Sequence, residues 1–320
     1  METPAAVRHG MKAKTIKAVL TKKMSAWLDT IEDEAVRKMV EKGTIITGGC
    51  IASMLLGEDV NDFDVYFKNH HTALAVAQYY VTRFKSKNGS PQFDLEVTDI
   101  DGRIKIGAKS VGIAGEATKT EAYQYFEMGP DEKGTDYVSA IMQNPDEIAD
   151  VHEDTEIQAL AVPEEKQFRP VFLSSNAITL SDKVQIVLRF YGEPDTIHEN
   201  YDFSHCTNYW KSWDHELVLR PAALECLLSR ELRYVGSKYP VCSVVRLRKF
   251  IARGWRINAG QVLKMAMQIS ELDLTDINVL EDQLTGVDTA YFLQLIARLK
   301  EKDPERVNTA YLCEIIERLF

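Results

Sequence analysis

The chain has 320 residues, 45% of them hydrophobic and 27% charged, with a net charge of −10. That composition suits a globular protein with a sizeable core, and the length suggests about two domains of roughly 150 residues each. No apolar run reaches the roughly 20 residues that span a bilayer, and the acidic excess disfavours indiscriminate nucleic-acid binding by the whole surface.

In chain order, residues 12–42 read as helical, because Ile16, Val19, Leu20, Met24, Trp27, Leu28 and Ile31 recur at helical spacing. The β-branched run Thr44-Ile45-Ile46-Thr47 is a short strand that leads into Gly48-Gly49. Cys50 to Leu56 suits a buried helix, with Gly57 as its C-terminal stop. "DFDVYF" alternates acid with apolar side chains, the period of a strand with one polar face. His71 to Lys85 is another helix.

From about residue 88 to 190 the chain turns β-rich. Asp101-Gly102 sits between alternating arms as a hairpin turn, and the pattern repeats around Ser181-Asp182. Residues 116–165 between them are acidic and weakly periodic. A helix starts near Pro194, and "YDFSHC" reads as a further strand. After Trp213 the sequence reads as helix: "ALECLLSRELRYV", "VVRLRKFIARGW", "AGQVLKMAMQISEL" capped by Asn258, "TAYFLQLIARLKEK" and "TAYLCEIIERLF". This predicts an α/β part over 1–212, with a β-rich insertion at about 88–180, and a helical part over 213–320.

The basic N-terminal stretch lacks an apolar segment and does not read as a signal peptide. Cys50, Cys206, Cys226, Cys242 and Cys313 are scattered without a Cys-x-x-Cys pair. That set argues against a disulfide framework or a cysteine zinc site, and a cytoplasmic protein is expected.

The stretch "GGCIASMLLGEDVNDFDVYF", residues 48–67, holds the chemistry. In a strand, Asp62 and Asp64 project to one side while Phe63 and Val65 face the other. Two adjacent carboxylates repel unless a cation sits between them. All-oxygen ligation suits Mg²⁺ (or Mn²⁺), which shares its shell with substrate phosphates. The glycine pair ahead of a helix lets backbone N–H groups approach phosphate oxygens.

Together these residues resemble the signature of the DNA polymerase beta-like nucleotidyltransferase superfamily: a glycine turn, a short helix, then Asp-x-Asp on a strand. The spacing is most similar to the CCA-adding and poly(A) polymerase branch, with Gly48, Gly49, Gly57, Asp62 and Asp64 at corresponding places. Ala52 and Ser53 stand where that branch has Arg-Asp. The C-terminal half is also similar in general look to nucleotidyltransferase-like proteins of tailed bacteriophages. The resemblance implies an α+β fold, a small mixed sheet flanked by helices, with a helical domain behind it.

It further implies transfer of a nucleoside monophosphate from an NTP to a hydroxyl on RNA (tRNA included), protein or a small molecule. A third carboxylate is then expected on a strand beside the pair. Asp202, set between aromatic residues, is the favoured candidate, ahead of Asp94 and Glu96. Arg230, Arg233 and Lys238 are expected to neutralise donor phosphates, and Tyr234 or Tyr239 to stack on the base. They fall in the stretch from Arg230 to Arg256, which holds eight Lys or Arg and one acid, Glu231. Ser53 is a further phosphate donor. His198 and His205 flank Asp202 but read as hydrogen-bonded structural residues rather than zinc ligands. The alternative is a nucleotide- or RNA-binding or structural protein that retains the fold without turnover.

Overall fold

In the computed structural model, the described residues are 9–88, 93–110, 125–127, 168–174 and 176–274, together with 276, 279 and 283. The expected acidic stretch 116–165, apart from 125–127, and the last two expected helices lie outside them. The chain divides into two compact units. The first comprises Met1–His198 and His205–Leu227, and the second Glu199–Ser204 and Leu228–Phe320. Residues 213–227 therefore group with the first unit.

The first unit opens with two helices rather than one, α1 (Ala13–Asp29) and α2 (Glu34–Gly43). The break has a local cause. Asp33 accepts hydrogen bonds from the amides of Ala35 and Val36, so it caps a new helix instead of continuing the old one. Strand β1 (Thr44–Thr47), helix α3 (Gly49–Leu56), strand β2 (Phe63–Phe67) and helix α4 (His70–Asn88) follow. Gly57 closes α3 in the left-handed region, φ 71°.

Strands β3 (Phe93–Ile100) and β4 (Arg103–Ser110) form a separate two-stranded hairpin through the Asp101-Gly102 turn. Strands β5 (Tyr125–Glu127), β6 (Pro170–Ser174), β7 (Ala177–Leu180) and β8 (Val184–Tyr191) lead to helix α5 (Pro194–His198). Then come β9 (Tyr209–Lys211), β10 (Leu217–Val218) and α6 (Pro221–Ser229). Among the described residues the sheet order is β10-β9-β1-β2-β8-β7-β6-β5, with β2 and β8 parallel and the other pairs antiparallel. The molecule is thus α+β, a mixed sheet flanked by helices, as expected. The strands expected as an insertion in part extend that sheet.

One sheet face carries Ile46, Val65, Phe67, Val184, Ile186, Leu188 and Trp210, all buried in one apolar cluster with Ile16, Leu20, Met24 and Trp27 of α1 and Val76, Ala77 and Tyr80 of α4. The Trp27 indole donates to the Tyr80 hydroxyl at 2.7 Å inside this core. The alternate residues, Thr47, Asp64 and Gln185, face the other way, which leaves that face free to be polar.

The second unit holds α7 (Pro240–Ala252) and α8 (Ala259–Ser270), the latter capped by Asn258 accepting from the Gln261 amide. The expected helix through residue 235 instead ends at Ser229, because Arg230 takes a left-handed φ of 52°. Glu231 and Tyr234 then form isolated bridges with Arg256 and Phe203. The strand expected at 201–206 is likewise one bridge residue, Phe203, followed by a single 3₁₀ turn, Ser204–Cys206. Among the described residues, no helix is long and apolar enough to cross a membrane.

Candidate active site

The site is built where β1 ends and β2 begins. The two strands are antiparallel, with Thr47 opposite Asp64, so the glycine turn and the aspartates share one end of the sheet. Gly48 has φ 90° and ψ −154°, a backbone region essentially restricted to glycine. A Cβ there would overlap Oδ2 of Asp64 and stand 3.2 Å from its Cγ. The Asp64 carboxylate therefore lies directly on the glycine backbone.

At Gly49, by contrast, a Cβ would meet nothing within 4 Å. Gly48 offers α3 no side-chain cap, whereas α2 and α8 are both capped by a side chain. The first-turn amides of α3 thus lack the usual side-chain acceptor at an opening beside a carboxylate. Ser53 sits one turn further in and is buried.

Asp62, one residue before β2, and Asp64 are both half-buried. Their charge is felt locally: burial first, then Asp64 and Asp62, push the Cys50 thiol well above its ordinary range. Among the described residues, no three His, Cys, Asp or Glu side chains gather into a cluster that could hold a metal. A pair of carboxylates nevertheless fits Mg²⁺, which is commonly held by one or two carboxylates plus substrate oxygens and water.

The strand neighbours of Asp64 are Thr47 on β1 and Gln185 on β8. Asp94 and Glu96 belong to the separate β3–β4 hairpin and flank neither. On the far side of Thr47 the register brings Tyr209 of β9. The Thr47 hydroxyl donates to the Asn208 carbonyl at 2.8 Å and lies 2.8 Å from His198 Nε2. Because its one proton goes to a carbonyl, His198 Nε2 is the donor in the second bond. Burial, and then the Arg220 charge, lower the His198 pKa to about 3 against the opposing pull of Asp195, so the ring is neutral at pH 7. The Gly48 amide donates to the Cys206 carbonyl at 3.2 Å, which ties the turn to the same loop.

A model of the Gabija anti-defense 2 family protein matches residues 18–230. The chain belongs to that family. The matched span contains the glycine turn, both aspartates and the strands around them. No curated protein matches the chain. Among solved structures, the chain is similar to the Thermotoga maritima CCA-adding enzyme complexed with tRNA, at 12% identity and TM-score 0.38, over 89% of this chain and 57% of that one. It is also similar to a CCA-adding enzyme in apo form I, at 12% identity and TM-score 0.41, over 91% and 54%. A third likeness is to a CCA-adding enzyme complexed with CTP, at 13% identity and TM-score 0.38, over 97% and 51%. The chain thus spans little more than half the length of these solved chains.

In this member of the Gabija anti-defense 2 family, the other expected site residues lie in the second unit. Asp202, 12% exposed, forms an ion pair with Arg246 of α7 at 2.7 Å, and its carbonyl accepts from the Val235 amide. Tyr234 is 2% exposed, packed edge-on against Phe203, with its hydroxyl donating to Gln268 and its pKa raised by burial to about 12. The ring expected to stack on a base is therefore a core residue of the second unit. Tyr239 is buried as well. Arg230 lies over the Trp255 ring at 5.7 Å, while Arg233 and Lys238 are exposed.

Sequence reading missed Thr47, Gln185, Asn208, Tyr209 and Arg220. For the last three a signal exists. "NYWK" alternates as a short strand, and Arg220-Pro221 has proline at the first position of a helix.

Proposed function

We propose that the chain is a metal-dependent nucleotidyltransferase of the polymerase beta-like kind, moving a nucleoside monophosphate from an NTP to a hydroxyl acceptor. One observation carries the reading: the Asp64 carboxylate rests on the backbone of an uncapped glycine turn, in a position that admits no side chain. Asp62 and Asp64 are the residues that would hold Mg²⁺ or Mn²⁺. The ion would neutralise the developing phosphate charge and lower the pKa of the acceptor hydroxyl.

The chain's own groups then have distinct tasks. The α3 amides at Gly49 and Cys50 bind donor phosphate oxygens. Ser53, on the same helix, supports that helix start. The acceptor oxygen loses its proton to a carboxylate and bonds to the α-phosphorus. The bond from that phosphorus to the bridging oxygen breaks, and pyrophosphate leaves.

In this reading the chain is a bacteriophage protein acting in the host cytoplasm, with an RNA or protein as its acceptor, and the anti-defense description of its family supports that setting. Calorimetric titration with each NTP and Mg²⁺ tests the site. Binding by wild type that is lost in Asp64→Ala supports it, and equal binding by both defeats it.

A second reading has its own support. Gln185, rather than a carboxylate, lies beside Asp64 on β8, and Asp202 already has a cation partner. A nucleotide-binding protein without turnover would show this pattern. Binding with no transfer to any acceptor would favour it.

A further inference from the structure

The end of the sheet that holds Asp62, Asp64 and the glycine turn also holds a second helix start. Helix α6 begins at Pro221, directly after Arg220, whose carbonyl accepts from the Leu224 amide at 3.0 Å. The Arg220 amide donates to Oδ1 of Asn208 at 2.8 Å, and the Asn208 carbonyl accepts the Thr47 hydroxyl. Asn208 therefore joins the last residue of β1 to the first turn of α6. Both helices, α3 and α6, open at the end of the sheet that carries Asp64, α3 after the adjacent strand β1 and α6 after β10, three strands away.

Two features make this more than a helix terminus. The Arg220 guanidinium lies over the Tyr209 ring at 5.4 Å and is braced by Asp195, which accepts from Nη2. Its side chain is 29% exposed, and among the described residues Nη2 is its one engaged guanidinium nitrogen. Asn208 is fully buried and its amide orientation is fixed, since the Arg220 N–H requires an acceptor. That leaves Nδ2 as a buried donor with no hydrogen-bond partner among the described residues. A preoriented arginine fork, an orphan amide donor and a helix start are the parts of an anion site.

Resting on the nucleotidyltransferase reading, we propose that Arg220 binds the outer phosphates of the donor and selects triphosphates over monophosphates. Tyr209 is two strand spacings from Asp64, about 10 Å. A triphosphate chain and an arginine side chain together cover that span. Stacking on Tyr209 holds the cation in place without consuming its in-plane donors. Asp195, 85% exposed, is a carboxylate that an incoming phosphate displaces.

The test uses the full chain and inorganic tripolyphosphate, which carries the phosphate chain without a base, alongside the four NTPs and their monophosphates with Mg²⁺. Wild type is expected to bind tripolyphosphate and to prefer an NTP over its monophosphate. Arg220→Met should weaken tripolyphosphate and NTP binding at least about tenfold while leaving monophosphate binding within about twofold, and Arg220→Lys should recover part of the loss. Asp195→Asn, at an exposed position, should tighten tripolyphosphate binding severalfold by releasing Arg220.

Unchanged NTP affinity in Arg220→Met, or equal loss for NTP and monophosphate, overturns the inference while the nucleotidyltransferase reading stands. Unchanged or weaker tripolyphosphate binding in Asp195→Asn also overturns it, even where the Arg220 variants fail to fold. A wild type that binds neither tripolyphosphate nor any NTP overturns both.

Discussion

Replacing Gly48 by alanine probes the contact on which the site rests. Two costs combine. The φ of 90° with ψ −154° is strained for any side chain, a penalty of about 1–3 kcal/mol. The new methyl also overlaps Oδ2 of Asp64 and stands 3.2 and 3.3 Å from its Cγ and Cβ. Asp64 must then move, at a further cost of about 1–3 kcal/mol by analogy with overpacking.

Gly48→Ala is therefore expected to lower unfolding free energy in urea by about 3 kcal/mol. Asp64→Ala removes the carboxylate but keeps the Cβ, so it relieves the overlap and leaves the backbone strain. In the double variant about 1–2 kcal/mol should return, a coupling well above the few tenths seen for independent sites. The assay is a double-mutant cycle by urea denaturation of the full chain. Strict additivity of the two substitutions would refute the claim that Asp64 sits on the glycine backbone.

Three further outcomes follow from buried groups. His198 has its pKa lowered to about 3 in the fold, so between that value and its unfolded value near 6.5 the unfolded chain binds a proton that the native chain does not. Stability should therefore fall as pH drops through this window, with His198 supplying up to about 1.4 kcal/mol per pH unit, and His198→Gln should flatten the slope measured by denaturation at pH 6 and pH 4.5. Tyr80→Phe leaves the Trp27 indole without its acceptor in the core and should cost about 1–3 kcal/mol, read by the same denaturation. Arg246→Met strips the cation from the largely buried Asp202 and should cost about 2 kcal/mol, whereas no loss would mean that Asp202 is compensated elsewhere.

The local signals in the sequence translated well into elements. The β1 run, the Gly57 stop, the Asp101-Gly102 and Ser181-Asp182 turns and the Asn258 cap each state a backbone requirement within a few residues, and each is met. The misreadings arose where a non-local pairing outweighed a periodic pattern. "LSRELRY" has helical spacing, yet Glu231 and Tyr234 are held extended by bridges to Arg256 and Phe203. "YDFSHC" alternates like a strand, but Asp202 has Arg246 as its partner rather than a place in the sheet.

The Asp62–Asp64 pair and the glycine turn were legible because they lie within one short stretch. Thr47, Asn208, Tyr209 and Arg220 come together only through the β1–β9 register and the loop that follows it. No spacing within the sequence announces that pairing.

Incubation of the chain with each NTP labelled at the α-phosphate, Mg²⁺ or Mn²⁺, and a mixture of RNA and protein acceptors tests the central claim most directly. The account predicts covalent label on an acceptor, release of pyrophosphate, and loss of both in Asp62→Asn and Asp64→Asn variants that still fold. Labelling that survives either substitution would contradict it, as would the absence of labelling with any of the four nucleotides.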